Sequence, residues 1–303
     1  MQPTASAPGA LWSAIVERAR HALSIGAVLP VPTRVETLED AGVRFLVRCV
    51  SSPARKPPAG APGDPFAPYD PELFVADLSP THVALLNKFP VIEHHLLIVT
   101  RRFEPQHSAL TARDFVALAG CMAEIGGLGF YNAGTGAGAS QQHKHLQWVP
   151  LPLGPDAIEV PIEALLESAP RPAHPAAQPD RAAPTRVERL PFEHSFVHLN
   201  PAAFGDSDGA GGRLVAHYRE LLRTAGIGLT AVARGSMVEQ PYNLLVTRRW
   251  MLCVPRSQEC FDSISVNALG FAGSLLVEDQ DRIERVRRHG PMAVLRAVAL
   301  PRR

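Results

Sequence analysis

In the stretch SQQHKHLQW, Ser140 to Trp148, two histidines and a glutamine occupy every second position: His143, His145 and Gln147. Successive side chains on a β-strand point to opposite faces, so these three share one side while Lys144, Leu146 and Trp148 take the other. Two imidazoles and an amide therefore converge, and three chemistries are open to them. Zinc takes neutral imidazoles at this spacing but needs three or four protein ligands, commonly with a Cys, Asp or Glu nearby, and the segment has none. A hydrogen-bonded polar face is the second reading. In the third, one histidine attacks phosphorus, which requires an accessible nitrogen, a partner orienting the other nitrogen, and donors for the phosphate oxygens. The preceding NAGTGAGAS, Asn132 to Ser140, offers backbone N–H groups that can approach an anion closely, and the Ser140 hydroxyl. Joined directly to a His-x-His-x-Gln strand, this glycine loop favours the third reading.

The charge inventory narrows the partners. A net charge of +1 and a pI near 7.8 lack the basic excess of a protein that coats nucleic acid, so small anions are expected instead. Only three of the 30 basic residues are lysines: Lys56, Lys88 and Lys144. Base composition accounts for an arginine preference, but it does not account for a lysine between the paired histidines and another opening a second histidine-bearing segment. No apolar run approaches the ~20 residues that cross a bilayer, and Glu17, Arg18 and Arg20 interrupt the apolar part of the first segment. A soluble, cytoplasmic protein without membrane contact is therefore expected. Cys49, Cys121, Cys253 and Cys260 form no C-x-x-C pair and read as reduced thiols.

The positioning elements follow from periodicity. LWSAIVERARHALSI, 11–25, places Leu11, Ile15, Ala19, Ala22 and Leu23 on one helical face, and Gly26 offers a stop. TRVETLED and VRFLVRCVSS flank Asp40-Ala41-Gly42 as a hairpin. The proline-rich stretch from Ser52 to Glu72 reads as an irregular loop carrying Lys56. HVALLNKFPVIEHHLLIVTRR gives two strands about a turn, and TARDFVALAGCMAEIGG a helix capped at Thr111. RLVAHYRELLRTAGIG reads as a helix, NLLVTRRWMLCVPR as a β-hairpin, NALGFAGSLLV as a tightly packed glycine-bearing segment and QDRIERVRRHG as a short helix. The class is α+β with antiparallel strands and no strand–helix alternation to suggest a parallel sheet. At 303 residues two units are expected: 1–168, an Ala/Pro-rich linker or insertion over 169–185 that buries too little to offset its ordering entropy, and 186–303. The segments beginning at Asn87 and Asn243 echo one another, which suggests two related halves.

GASQQHKHLQ together with NKFPVIEHHLLIVTRR resembles the histidine-triad superfamily, in its galactose-1-phosphate uridylyltransferase-like branch and specifically the ATP adenylyltransferases, or diadenosine tetraphosphate phosphorylases. PYNLLVTRRWMLCVPRS and ISVNALGFAGSLLV resemble that family's C-terminal domain, so the likeness covers most of residues 45–280. The resemblance implies a histidine-triad-like fold, an antiparallel sheet flanked by helices, with the catalytic half in 1–168 and the C-terminal half in 186–303. It maps the nucleophile onto His145, a polarising histidine onto His143, the place of a third histidine onto Gln147, and an upstream supporting histidine onto His95 rather than His94. It also implies that Asn87, Asn132, Gly134 and Ser140 line the nucleotide pocket, with Lys56 and Lys88 as polyphosphate clamps. Asn267 is a further candidate for the pocket wall, set against close packing around Gly270 and Gly273.

The glutamine has a physical meaning of its own. Opening a nucleotidyl-histidine with water calls for proton removal, which imidazole does near neutral pH and an amide cannot do. Phosphate is already anionic, with a second pKa of roughly 6, and needs positioning only. The expected reaction is phosphorolysis of diadenosine tetraphosphate to ATP and ADP through AMP-His145, with nucleotides and inorganic phosphate as the partners. No metal is obligatory, and magnesium is expected only as a companion of the polyphosphate. A monomer or a homodimer is equally compatible with the sequence. The alternatives are a hexose-1-phosphate uridylyltransferase, against which stands the missing cysteine pair for zinc, and a non-catalytic nucleotide-binding regulatory protein.

Overall fold

The computed structural model describes residues 9–51, 63–155, 157–169, 183–205, 207–233 and 235–302; Lys56 and most of 169–185 lie outside them. Helix α1 (Ala10–Ser24) buries Leu11, Ile15, Ala19 and Ala22. Leu23 does not join that face and is exposed, because it sits about 100° around the helix from Ala22. Strands β1 (Thr33–Asp40) and β2 (Val43–Val50) form the expected antiparallel hairpin, turned by Ala41 and Gly42 at φ 50° and 81°. Then come β3 (Phe74–Ser79), β4 (His82–Leu86) and β5 (Leu96–Thr100). Helix α2 (Ala112–Ile125) starts at a capping box in which Asp114 accepts from the Thr111 amide and hydroxyl at 2.6 and 2.7 Å. Strands β6 (Leu128–Ala133) and β7 (His145–Val149) flank the glycine loop.

Beyond α3 (Glu163–Leu166) the chain forms β8 (Ser195–His198), α4 (Ser207–Thr224), the hairpin β9 (Leu229–Val232) with β10 (Gly235–Val238), and the hairpin β11 (Tyr242–Val246) with β12 (Trp250–Pro255). Short strands β13 (Cys260–Phe261) and β14 (Ile264–Ser265) lead into α5 (Ala268–Phe271), β15 (Ser274–Val277), α6 (Gln280–His289) and α7 (Pro291–Val298). Helix α7 was not expected; its apolar run is too short to separate helix from strand by periodicity alone.

Eight strands build one antiparallel sheet in the order β3-β4-β5-β7-β6-β11-β12-β8, with strands from both sides of 169–185. A helix followed by two neighbouring strands of the sheet occurs twice, as α2–β6–β7 and, with the hairpin β9–β10 interposed after the helix, as α4–β11–β12. The two copies meet with β6 beside β11 and α2 against α4. The echo between the Asn87 and Asn243 segments crosses this arrangement, since Asn243 is the cross-strand partner of Asn132. A smaller sheet, β1-β2-β15, contains the one departure from antiparallel pairing among the described residues, β15 parallel to β2. Pairing between residues 46–49 and 274–277 leaves no local pattern to read.

Strand alternation divides the core. Leu96, Ile98, Tyr131, Leu146, Trp148, Leu244 and Met251 pack one face of the large sheet against α1, α2 and α4. On the other face Phe130, Val149, Leu245 and Leu252 join the small sheet and α5–α7, while Phe66, Val83, Leu85 and Val99 form a separate cluster toward the β3 edge. No helix among the described residues is long and apolar enough to cross a membrane.

Candidate active site

Between those two apolar clusters the second face of the sheet is uncovered, and a cleft of about 1850 Å³ opens there. Period 2 decides which side chains reach it. Residues 145 and 147 on β7 alternate with the core residues Leu146 and Trp148, and Asn132 on β6 alternates with Tyr131 and Ala133. His145, Gln147, His95, Asn87 and Asn132 all line this cleft.

His145 is 4% exposed. Its Nδ1 lies 2.8 Å from the carbonyl oxygen of His143. A carbonyl only accepts, so Nδ1 carries the proton and Nε2 the lone pair. The ring of Phe66 sits 5.3 Å from that of His145 and gives the histidine an apolar flank.

A second chain of bonds fixes Gln147. The Phe89 N–H donates to Asn87 Oδ1 at 3.0 Å, so the Asn87 amide nitrogen is the group that faces His95 Nδ1, at 3.1 Å. His95 Nδ1 is then an acceptor and Nε2 a donor, to Gln147 Oε1 at 2.9 Å. Each assignment follows from the one before, starting at a backbone N–H that cannot be flipped. Gln147 is left to present its NH₂ group. His94, with φ 58°, instead sets its ring 5.1 Å from that of Trp12 beside α1 and is not part of this cleft wall.

His143 is buried behind the cleft wall. Its Nδ1 is 2.8 Å from Asp64 Oδ2 and its Nε2 is 2.9 Å from Thr100 Oγ1, with Phe66 and Phe103 against its ring. Its contact with His145 is through its main-chain carbonyl. Lys144 projects from the opposite face, fully buried, with Nζ 2.8 Å from Asp114 Oδ2 and 3.1 Å from Glu104 Oε2. Burial alone would raise the Asp114 carboxyl, but the His82 hydrogen bond and the Lys144 ammonium outweigh it and hold the carboxyl well below the usual carboxylate range.

Ser140, Lys88 and Asn267 line the cleft. Lys88 is half-exposed with Asp70 at 4.0 Å, and Asn267 uses its Oδ1 to cap Leu269 at 3.0 Å. Asn132 commits its Oδ1 to the Asn243 amide at 2.8 Å and the Ala268 N–H at 2.9 Å, which ties β6 to β11 and α5. Gly134 stands outside the wall as a turn residue at φ 86°; Gly138, at φ 82°, is in the wall instead. A Cβ on Gly138 would come within 2.9 Å of the Val266 carbonyl, so a side chain is excluded there by both sterics and conformation. Sequence reasoning missed Asp64, Phe66 and Thr100 around the histidines, and Arg48, whose guanidinium lines the cleft and donates to Ser274 at 3.1 Å. Asp64 and Phe66 lie in the proline-rich stretch, where no periodicity marks a face, and one arginine among so many carries no signal. Among the described residues no three His, Cys, Asp or Glu are grouped to hold a metal.

The same fold is met in known proteins. The yeast Ap4A phosphorylase Apa2 (Saccharomyces cerevisiae), solved in complex with Ap4A, superposes with a TM-score of 0.78 at 26% identity over 96% of this chain and 97% of that one. Its complex with AMP gives 0.77 at 27% identity, with the same coverage. Diadenosine 5′,5‴-P1,P4-tetraphosphate phosphorylase 2 of Saccharomyces cerevisiae is 31% identical over 242 residues, 74% of this chain and 71% of the relative. Protein APA1 of the same yeast is 26% identical over 305 residues, 93% of this chain and 91% of the relative. Residues 1–168 match the Ap4A phosphorylase N-terminal domain and residues 188–301 the ATP adenylyltransferase C-terminal domain. With both domain models matched in order along one sheet, the chain belongs to the Ap4A phosphorylase family.

Proposed function

We propose that this chain cleaves diadenosine tetraphosphate by moving an AMP unit onto inorganic phosphate, through a covalent intermediate on His145. The observation that carries the reading is the 2.8 Å bond from His145 Nδ1 to the His143 carbonyl, which gives the lone pair to Nε2 beside the Gln147 amide. In the first step Nε2 bonds the α-phosphorus while the bond from that phosphorus to the bridging oxygen breaks, releasing ATP. The imidazole becomes cationic, and its Nδ1 proton stays against the carbonyl. In the second step an oxygen of inorganic phosphate bonds the same phosphorus, the P–N bond breaks, and ADP leaves with the ring neutral again. The polyphosphate leaving group needs little protonation, so donors and cations supply most of the barrier reduction.

Gln147, held by His95, donates to a non-bridging oxygen in both steps and has no base to offer water. Ser140, Lys88, Asn267 and the loop bearing Lys56 are the proposed phosphate and ribose contacts, and Arg48 adds a cation to the wall. Magnesium enters only as a companion of the polyphosphate. The yeast Apa2 complexes with Ap4A and AMP support the substrate assignment. The cytoplasm is the proposed site of action.

Purified protein incubated with diadenosine tetraphosphate should yield equal ATP and ADP only when phosphate is present. AMP plus ATP without phosphate would mean hydrolysis, and turnover of UDP-glucose would point to a hexose-1-phosphate enzyme. His145→Ala should lose turnover by at least about 10³-fold, as removal of a covalent nucleophile does; wild-type activity in that variant would overturn the mechanism.

A further inference from the structure

We infer that Gln106 is a positioning residue for the nucleophile, its amide bridging β6 to His145 beyond the end of the β6–β7 ladder. The inference rests on the reading of His145 as nucleophile. The β6–β7 ladder runs from Leu128–Val149 through Phe130–Gln147 and stops. Two steps further in the same register Asn132 would face His145, and there the strands are bridged by a side chain instead. Gln106 Oε1 accepts the His145 N–H at 2.8 Å, and its Nε2 donates to the Asn132 carbonyl at 2.9 Å and to the His145 carbonyl at 3.2 Å.

This amide cannot turn over. Flipping it would set NH₂ against the His145 N–H and an oxygen against two carbonyls, and every partner is a backbone group of fixed polarity. Gln106 is itself anchored: its N–H donates to the Gln142 carbonyl at 2.8 Å, its carbonyl accepts the Tyr131 hydroxyl, and Lys144 N–H reaches the Glu104 carbonyl at 2.7 Å. Residues 104–106 thus run antiparallel to 142–144, and the Gln106 side chain reaches back from the Gln142 end of that pairing to His145. On the opposite side His145 is in register with Val99 of β5. Held from both sides, the peptide of residue 145 sets the direction of its Cα–Cβ bond and hence the approach of Nε2 to phosphorus. A displacement near 1 Å in such a position costs on the order of 10²-fold in rate.

The test compares Gln106→Met, which keeps the volume without the bonds, and Gln106→Glu, which keeps the acceptor but turns an oxygen toward two carbonyls. Single-turnover attachment of AMP to His145 from diadenosine tetraphosphate is measured per folded molecule, with ADP affinity measured alongside. Attachment should slow roughly 10- to 100-fold while ADP affinity stays within about threefold, the signature of an interaction that matters in the transition state and not in ground-state binding. In Gln106→Glu the attachment rate, taken as a ratio to wild type at the same pH, should rise as pH falls and the carboxyl regains a proton to donate. Wild-type attachment rates in folded Gln106→Met, or a parallel loss of rate and affinity, would overturn the inference. Should wild-type protein itself take up no AMP, the functional reading fails along with it, and that outcome is distinct. Independently of any variant, hydrogen exchange at the His145 amide of the wild-type protein should be slow; exchange at the rate of an open loop would also refute the role.

Discussion

At the level of single residues, the site is an exercise in proton bookkeeping. One acceptor and one donor of fixed polarity, the His143 carbonyl and the Asn87 NH₂ group that faces His95 Nδ1, decide what His145 and Gln147 present to a substrate. Asn87→Asp tests the second. A carboxylate would accept from His95 Nδ1, so Nε2 would lose its proton and Gln147 would turn its NH₂ toward it, leaving an oxygen to meet the phosphate. Phosphate-dependent turnover should fall on the order of 10²-fold, the typical cost of one donor to a developing oxyanion, with a longer-lived AMP adduct and an unchanged melting temperature. Turnover within a few-fold of wild type would show that the amide orientation does not matter. Spacing alone showed which of these residues share a face, because side-chain direction on a strand is a local property. The orienting bonds were not legible, since Asp64, Thr100 and Gln106 approach from three other segments.

Among the elements, β7 divides two environments at one residue's interval. His145 and Gln147 face the cleft, while Lys144, immediately before the strand, is sealed beneath α2 with Asp114 and Glu104. Asp114 also caps α2 and holds His82 at 3.1 Å, so one carboxylate couples helix start, strand β4 and strand β7. Lys144→Met should destabilise the protein by about 3–5 kcal/mol, as breaking a buried pair does, read from urea denaturation. The folded carboxyl of Asp114 is depressed, so its stabilisation is complete above the ordinary aspartate value of ~3.9 and is lost as pH falls below it toward the folded value. Wild-type denaturation midpoints should therefore drop as pH falls below about 4, and Lys144→Met should show a shallower dependence. Equal slopes in the two proteins would remove Lys144 from the account. Strands and helices with strong periodicity were visible beforehand, including α2 with its cap and both hairpins. The parallel β15–β2 contact and α7 were not, because long-range pairing and short apolar runs leave no local signature.

For the molecule as a whole, the large sheet is continuous across the two halves. Asn132 and Asn243 stand opposite each other on β6 and β11, and Arg256 donates to both the Asn243 side chain at 2.5 Å and the Val266 carbonyl at 2.7 Å. Burial lowers the Arg256 guanidinium to about 10, yet five backbone and side-chain acceptors surround it. Cys121 on α2 and Cys253 on β12 are buried in the same core, with burial pushing the first thiol up to about 12 and the second higher still. Alkylating reagents should leave both untouched until the protein unfolds; rapid modification of the native protein would contradict the packing. The β6–β11 contact also carries a consequence for engineering. Because backbone hydrogen bonds, the paired asparagines and the α2–α4 contact all hold without help from the covalent connection over 170–182, fragments 1–169 and 183–303 made together should reconstitute a working enzyme. Either fragment made alone would offer a bare sheet edge and should aggregate, so the protein could serve as a two-piece complementation reporter whose signal is nucleotide release.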